Sequence, residues 1–224
     1  MRRVRVIVDA VLAGLLVAMM ASALVQKAPH EYLGVALFAT VVAHIALNKH
    51  RFKTLVFSRC NAVRILRLMT VVGLFVCIVR QVTSALVLSK YAFGFLPALP
   101  GASLARRVHM LCSYWGFALA FAHVGLQFRG LCQLMRTGVT SNTLGAHRYV
   151  TWAGHFLFVM FACFGAYSFV QLDFGIYLLS QTQFVFADYG MSIALSLMSY
   201  ASIAVLIAGF FHYLRTALEA FERN

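Results

Sequence analysis

Six long apolar segments divide the chain and restrict what it can fold into. They lie at about residues 6–25, 31–47, 65–88, 108–126, 149–170 and 191–213, and each is long enough, or nearly so, to cross a bilayer as a helix. Hydrophobic residues make up 62% of the chain and charged residues 11%, whereas a soluble domain is about half apolar and about a quarter charged. The sequence therefore predicts an all-α membrane protein, with residues 1–224 forming a single six-transmembrane helix bundle.

Basic residues lie mainly between the apolar segments and indicate how the bundle is oriented. Of 19 Lys and Arg residues, 14 fall before the first segment, after the last, in the second and fourth loops or, for Arg67, at the start of the third segment; four fall near the other loops. By the positive-inside rule, both termini are predicted to be cytoplasmic. The same clustering disfavours binding to nucleic acid. Ala21-Ser22-Ala23 resembles a signal-peptidase site, but we expect the first segment to be retained as a helix.

Two pairs of histidines share one spacing. His30 and His44 are 14 residues apart around the second segment, and His109 and His123 are 14 residues apart in the fourth. On an α-helix, 14 residues make four turns less about 40° and rise roughly 21 Å, so the members of a pair share a face at different depths. Because the second and fourth segments are predicted to run in the same direction, His30 should match His109 in depth, and His44 should match His123.

Two histidines at one depth suit haem better than a metal ion held by protein alone. A zinc site gathers about four ligands at one point, whereas a haem iron needs one axial ligand from each side. Polar residues inside a membrane are costly and are usually functional. We therefore interpret the four histidines as the axial ligands of two haems b, one above the other. The alternative is a structural role, in which they form hydrogen bonds with neighbouring helices.

Small and basic residues near these histidines are candidates for further haem contacts. Gly116 lies midway between His109 and His123, and Gly34 lies one turn after His30, so a porphyrin could approach either helix there. Close helix packing uses the same kind of residue and is an equal alternative. Arg80, in the third segment, is a candidate partner for a haem propionate. Its alternative is to extend to the membrane surface.

Four more histidines lie near the predicted inner ends of the helices. His50 and His147 fall in basic loops, and we expect them to be solvated. His155 and His212 leave two alternatives open, because they could line a quinone pocket or form a rival pair of ligands for the inner haem.

The connection at 171–190 is aromatic but carries acidic and amide side chains, and is predicted to be an amphipathic segment in the outer interface. Its Tyr177, Phe184 and Phe186 are predicted either to form a docking surface for a redox partner or to seat the segment in lipid.

Several stretches of the sequence are typical of one family when they occur together. They are His30-Glu31-Tyr32-Leu33-Gly34, His44-Ile45-Ala46-Leu47-Asn48, Tyr91-Ala92-Phe93-Gly94-Phe95-Leu96-Pro97, Arg106-Arg107-Val108-His109, Ser113-Tyr114-Trp115-Gly116-Phe117, His123-Val124-Gly125-Leu126 and Gln183-Phe184-Val185-Phe186-Ala187-Asp188. Over about residues 5–214, the chain resembles the bacterial flavinylation-associated cytochromes. It departs from them at Gln127-Phe128, where members often have His-x-Gly-x-His-Trp after the fourth ligand, so no role of that extra histidine carries over.

The resemblance implies a di-haem cytochrome b of the bacterial cytoplasmic (inner) membrane. Such a protein is thought to pass electrons to extracytosolic proteins that carry covalently bound FMN, and the family's motifs give the ligand role to the same four histidines. We therefore expect electron transfer from a quinol or cytoplasmic donor to an outside, flavin-carrying acceptor. The alternatives are a quinone-reactive or ferric/superoxide-type oxidoreductase and a non-redox membrane anchor. Hydrolytic chemistry is not expected, because the sequence has no nucleotide-binding glycine motif, Ser/His/Asp set or paired carboxylates.

Overall fold

The structure is a computed structural model that describes residues 2–21, 27–57, 61–95, 97, 99–136, 144–182 and 191–222. These residues contain no strand, and most of them lie in helices. The helices are α1 (Arg2–Ala21), α2 (Lys27–Phe57), α3 (Ala62–Leu88), α4 (Ala102–Arg136), α5 (Leu144–Gln171), α6 (Phe174–Leu178) and α7 (Ile193–Phe221).

Five of these helices contain stretches that are long and apolar enough to cross a membrane. The stretches are Arg3–Ala21, Lys27–His50, Ala62–Leu88, Trp152–Gln171 and Ile193–Phe221. The chain thus has the helices of a multi-pass membrane protein, as predicted. Helix α4 is longer than any of the five stretches, at 35 residues, but is not among them. Its polar residues, including His109 and His123, lower its mean hydropathy, and the sixth span remains a prediction.

The predicted ends of α2 and α4 were wrong because apolarity marks only part of each helix. Helix α2 was expected at about 31–47 but runs from Lys27 to Phe57, and α4 was expected at about 108–126 but runs from Ala102 to Arg136. Pro29 lies in the first turn of α2, where a backbone N–H is not needed for the helix. Leu, Lys, Arg and Gln favour helix, so both helices continue into polar sequence.

Successive long helices run in opposite directions, and contacts between them define two ends of the bundle. At one end, Glu31 near the start of α2 binds Ser89 just after α3. At the other, Asp9 near the start of α1 binds His44, and Glu222 just after α7 accepts a hydrogen bond from the backbone N–H of Ala62 at the start of α3. We call these the His30 end and the Asp9 end.

Helix α7 packs between α4 and α5 through glycines that leave no room for a side chain. A Cβ at Gly125 of α4 would collide with the carbonyl oxygen of Ala208, and one at Gly165 of α5 would collide with that of Ser202. A Cβ at Gly209 of α7 would likewise collide with the ring of Phe158. Such close approach is how helices associate in lipid, where packing rather than water exclusion drives contact.

An aromatic cluster fills the core where α4, α6 and α7 meet, and it corrects one prediction. Tyr177 of α6 was expected at a docking surface or in lipid, but it is only 5% exposed and stacks on Tyr114 with ring centres 4.6 Å apart. Phe174 of α6 is also buried and lies against Phe117. The apolar face of α6 therefore packs against α4 instead of facing lipid. Phe184 and Phe186 lie outside the described residues.

Candidate functional site

The structure brings His30 and His109 together across two helices. Their ring centres are 6.3 Å apart, and the ring planes make an angle of 59°. Both rings lie near the starts of their helices, because α2 and α4 run in the same direction from the His30 end. The second pair, His44 and His123, lies 14 residues further along the same two helices.

The spacing of the first pair is that of two imidazoles on one iron. With metal–nitrogen bonds of about 2 Å on each side and about 1 Å from each nitrogen to its ring centre, the two ring centres would lie about 6 Å apart. The backbones of α2 and α4 are not among the closely packed helix pairs in the described part of the chain; α2 packs mainly on α1, and α4 on α3 and α7. A flat ligand between these two helices would not have to break close helix packing.

Helix α3 places hydrogen-bonding groups at both ring nitrogens of His109. The hydroxyl of Ser84, which donates to the carbonyl oxygen of Gln81 at 3.0 Å, lies 3.3 Å from Nδ1 of His109. The amide of Gln81 lies 3.1 Å from Nε2 of the same ring. With the Gln81 amide in this orientation, the arrangement fits a proton on Nδ1 that is donated to Ser84 and a lone pair on Nε2. That is the tautomer an iron ligand needs, and an iron would replace the Gln81 amide at Nε2.

His44 has a partner that the sequence did not reveal. Oδ1 of Asp9 lies 2.7 Å from Nδ1 of His44, although the two residues are 35 positions apart on different helices. A carboxylate on one ring nitrogen orients the imidazole, leaves the other nitrogen for a metal and makes the ring a stronger ligand. Asn48, one turn later, is buried and donates to the carbonyl oxygen of His44 at 3.0 Å.

His123 lies beside polar groups at the same end of the bundle. Its Nε2 is 2.7 Å from the amide nitrogen of Gln127. One turn after His123, the carbonyl oxygen of Leu126 accepts hydrogen bonds from Nη2 of Arg67 at 3.3 Å and Nη1 of Arg215 at 2.9 Å. Two guanidinium groups thus meet one turn from His123. Arg215 also forms an ion pair with Glu219 through Nε at 2.6 Å, and the pair of arginines suits a further anionic group such as a haem propionate. Sequence reasoning assigned an arginine only to the first pair.

Glu31 joins the first pair to the chain that follows α3. Its carboxylate accepts hydrogen bonds from the hydroxyl of Ser89 at 2.7 Å and from the backbone N–H groups of Lys90, Tyr91 and Ala92 at 3.0, 2.9 and 2.9 Å. Because Glu31 follows His30 directly, this arrangement holds the turn of α2 that carries His30 against the 89–95 turn. In the sequence, the only sign that Glu31 belongs to this site is that it follows His30 directly.

Gly34 and Gly116 differ from the glycines that pack α7. A Cβ at Gly34 would lie 3.6 Å from Cε of Met19, and one at Gly116 would lie 3.8 Å from Cβ of Cys77. Both are ordinary van der Waals distances, so helix packing does not require a glycine at either position. Whether they give room to a porphyrin, as the sequence suggests, remains a prediction.

Arg80 lies on α3 with an exposed side chain, near Cys112 of α4. Cys112 is one turn after His109, so Arg80 lies on the side of α3 that faces the first pair. Arg106 and Arg107 are exposed in the first two turns of α4.

The remaining histidines divide into two groups. His50 is exposed, but it lies within α2 and not in a loop as predicted. His147 was likewise expected in a loop but lies within α5, and its side chain is outside the described residues. His155 of α5 is exposed, whereas the ring of His212 in α7 is half-buried and meets Phe128 edge to face at 5.2 Å.

Comparisons with known proteins do not assign a family or a function to the chain. No protein-family model, no curated protein and no solved structure matches the chain. Among the described side chains, no group of three or more His, Cys, Asp or Glu could hold a metal ion by itself. The site must therefore be judged from its own geometry, in which the rings of His30 and His109 meet.

Proposed function

We propose that the protein transfers electrons across a membrane through two haems b, each held by two histidines. The single observation that carries this proposal is the meeting of His30 and His109 at 6.3 Å between ring centres, on two helices that do not pack closely. By the twin 14-residue spacing, His44 and His123 form the second pair. Bound haem supplies a one-electron iron couple, and histidine ligands together with their neighbours tune its potential.

The described side chains have separate roles in this proposal. Ser84 keeps the Nε2 lone pair of His109 available, and Asp9 does the same for His44 by binding its Nδ1. Arg80 is assigned to a propionate at the first pair, and Arg67 and Arg215 to one at the second. Guanidinium groups stabilise the reduced form electrostatically, whereas Asp9 stabilises the oxidised form.

The proposal also includes a direction of electron flow. Both termini are cytoplasmic by the distribution of basic residues, so the His30 end faces the outside of the bacterial inner membrane. Electrons enter from a quinol or cytoplasmic donor at the Asp9 end and leave at the His30 end to an extracytosolic acceptor. By the resemblance noted above, that acceptor is a protein carrying FMN. The two pairs are separated by roughly 21 Å along the helices.

Haem stoichiometry tests the proposal directly. The purified chain should contain two haems, and its reduced spectrum should show a low-spin b-type band. His30→Ala and His109→Ala should each remove the same component of a redox titration, and His44→Ala and His123→Ala should each remove the other. His50→Ala is the matched control, because it changes an exposed histidine on α2 and should retain both haems.

Two results would contradict the assignment. A wild-type chain that binds no haem would favour the non-redox anchor. Loss of different components in His30→Ala and His109→Ala would break the pairing on which the proposal rests. Direction is tested in vesicles reduced from the inside with ferricyanide outside: reduction that persists without the His44/His123 haem would show that electrons enter at the other side.

A further inference from the structure

Helices α3 and α4 pack along each other in an antiparallel register that two contacts define. A Cβ at Gly116 of α4 would lie 3.8 Å from Cβ of Cys77 on α3. Seven residues further along α3, Ser84 lies against His109, which is seven residues before Gly116 on α4. Cys112 is one turn before Gly116, so it lies on the same face of α4 and next to the same part of α3.

The thiols of Cys77 and Cys112 meet in this interface. They form a hydrogen bond with each other, and both are free and half-buried. In a disulfide, the sulfur atoms lie about 2 Å apart and the Cβ atoms about 3.5–4.5 Å apart. Because α4 already approaches Cβ of Cys77 this closely at Gly116, rotation about side-chain bonds can bring the two sulfur atoms into bonding distance without moving the helices.

The surroundings of this pair are typical of reactive cysteines. Arg80, one turn after Cys77 on α3, is exposed and lies near Cys112. Thiols that react in proteins are partly exposed and lie beside a positive charge, because the thiolate is the form that attacks. Cys112 therefore has the neighbour that an attacking thiolate needs.

The position of Cys77 along α3 restricts which oxidant can reach the pair. Cys77 lies 15 residues after Ala62 and 11 residues before Leu88, within a stretch long and apolar enough to cross a membrane. Even the nearer end of this stretch is roughly 16 Å away along the helix. Charged oxidants such as glutathione disulfide enter an apolar layer only at high cost. A quinone dissolves in lipid and accepts two electrons, so it can reach the pair from the bilayer.

We propose that Cys77 and Cys112 form a redox-active dithiol, which a membrane quinone oxidises to a disulfide that joins α3 to α4. In this reaction, the two S–H bonds break and one S–S bond forms. The two electrons and two protons pass to the quinone, which becomes a quinol. The reaction uses no other cofactor, so the inference does not depend on the proposed function.

Oxidation by a quinone in nanodiscs tests the inference on the thiols themselves. The purified chain is reduced, placed in lipid nanodiscs without oxygen and mixed with decylubiquinone. One decylubiquinol should form per chain, and peptide mass spectrometry should find Cys77 joined to Cys112. A variant with Cys60, Cys132 and Cys163 all changed to Ser keeps only the pair and should react in the same way. Adding Cys77→Ser or Cys112→Ser to that variant should abolish both products.

Two results would overturn the inference. The first is that both thiols remain reduced in the wild type and in the variant that keeps only the pair. The second is a wild-type disulfide that joins cysteines other than Cys77 and Cys112. Since the readout is the thiol pair, two bound haems without this disulfide would refute the inference and keep the cytochrome, and the disulfide in a chain that binds no haem would do the opposite.

A water-soluble oxidant tests access from the bilayer. Glutathione disulfide should oxidise the pair in nanodiscs at least about tenfold more slowly than decylubiquinone, because its charges keep it out of the apolar layer. After the chain is unfolded in detergent, glutathione disulfide should react readily with the same thiols, which controls for their intrinsic reactivity. Equal rates with the two oxidants in nanodiscs would refute the assignment of a membrane quinone.

Discussion

Removing the carboxylate of Glu31 should release the turn that follows α3. This carboxylate accepts four hydrogen bonds, three of them from consecutive backbone N–H groups. A hydrogen bond to a charged group contributes about 1.5–3 kcal/mol, but Glu31 is only half-buried and water replaces part of each bond. We therefore expect Glu31→Ala to lower the free energy of opening this turn by about 2.5 kcal/mol, well below the simple sum.

Hydrogen exchange measures this effect at the amides concerned. Since about 1.4 kcal/mol corresponds to a factor of ten, the amides of Lys90, Tyr91 and Ala92 should exchange about 60-fold faster in Glu31→Ala. Ser89→Ala removes one of the four bonds to the carboxylate and also the bond from the N–H of Phe93 to the Ser89 hydroxyl, and should accelerate the 90–92 amides only about fivefold, for about 1 kcal/mol.

A matched control is available at the opposite end of the bundle. Glu222 also accepts a hydrogen bond from a backbone N–H, that of Ala62, at 2.7 Å. Glu222→Ala should accelerate exchange near the start of α3 and leave the 90–92 amides unchanged. If Glu31→Ala does not change exchange at 90–92, or if Glu222→Ala changes it equally, the reasoning is refuted.

Three further predictions concern the haem environment and the helix packing. Asp9→Asn should raise the potential of the haem proposed at His44, because it removes a negative charge 2.7 Å from the His44 ring, and redox titration should show the other potential unchanged. Arg80→Leu should lower the potential of the haem proposed at His30 and His109 by removing a nearby positive charge; two unchanged potentials would favour extension of Arg80 to the membrane surface. Gly125→Ala should destabilise the bundle by about 1–3 kcal/mol in thermal unfolding, because its Cβ meets a carbonyl oxygen, whereas Gly116→Ala should leave stability nearly unchanged.

Local and periodic features could be predicted from the sequence because they need no knowledge of neighbours. Apolar length marks the membrane helices, and a 14-residue interval on a helix places two side chains on one face whatever surrounds them. Because successive helices alternate in direction, α2 and α4 start at the same end of the bundle. His30 and His109 lie near those starts and are therefore expected at the same depth. Helix ends in polar sequence were missed, because residues such as Lys and Gln continue a helix as readily as they form a loop.

Only the tertiary structure determines which residues of different helices contact each other. Asp9 is a single acid in an apolar segment, and nothing in its sequence neighbourhood indicates His44, which is 35 residues away. Tyr177 was misassigned because an aromatic residue in an interfacial connection has the same composition whether it faces lipid or Tyr114. Gly116 and Gly125 are likewise indistinguishable in sequence, yet only Gly125 lies against the backbone of another helix. Each difference depends on which helix lies opposite, and the packing of the whole bundle determines that.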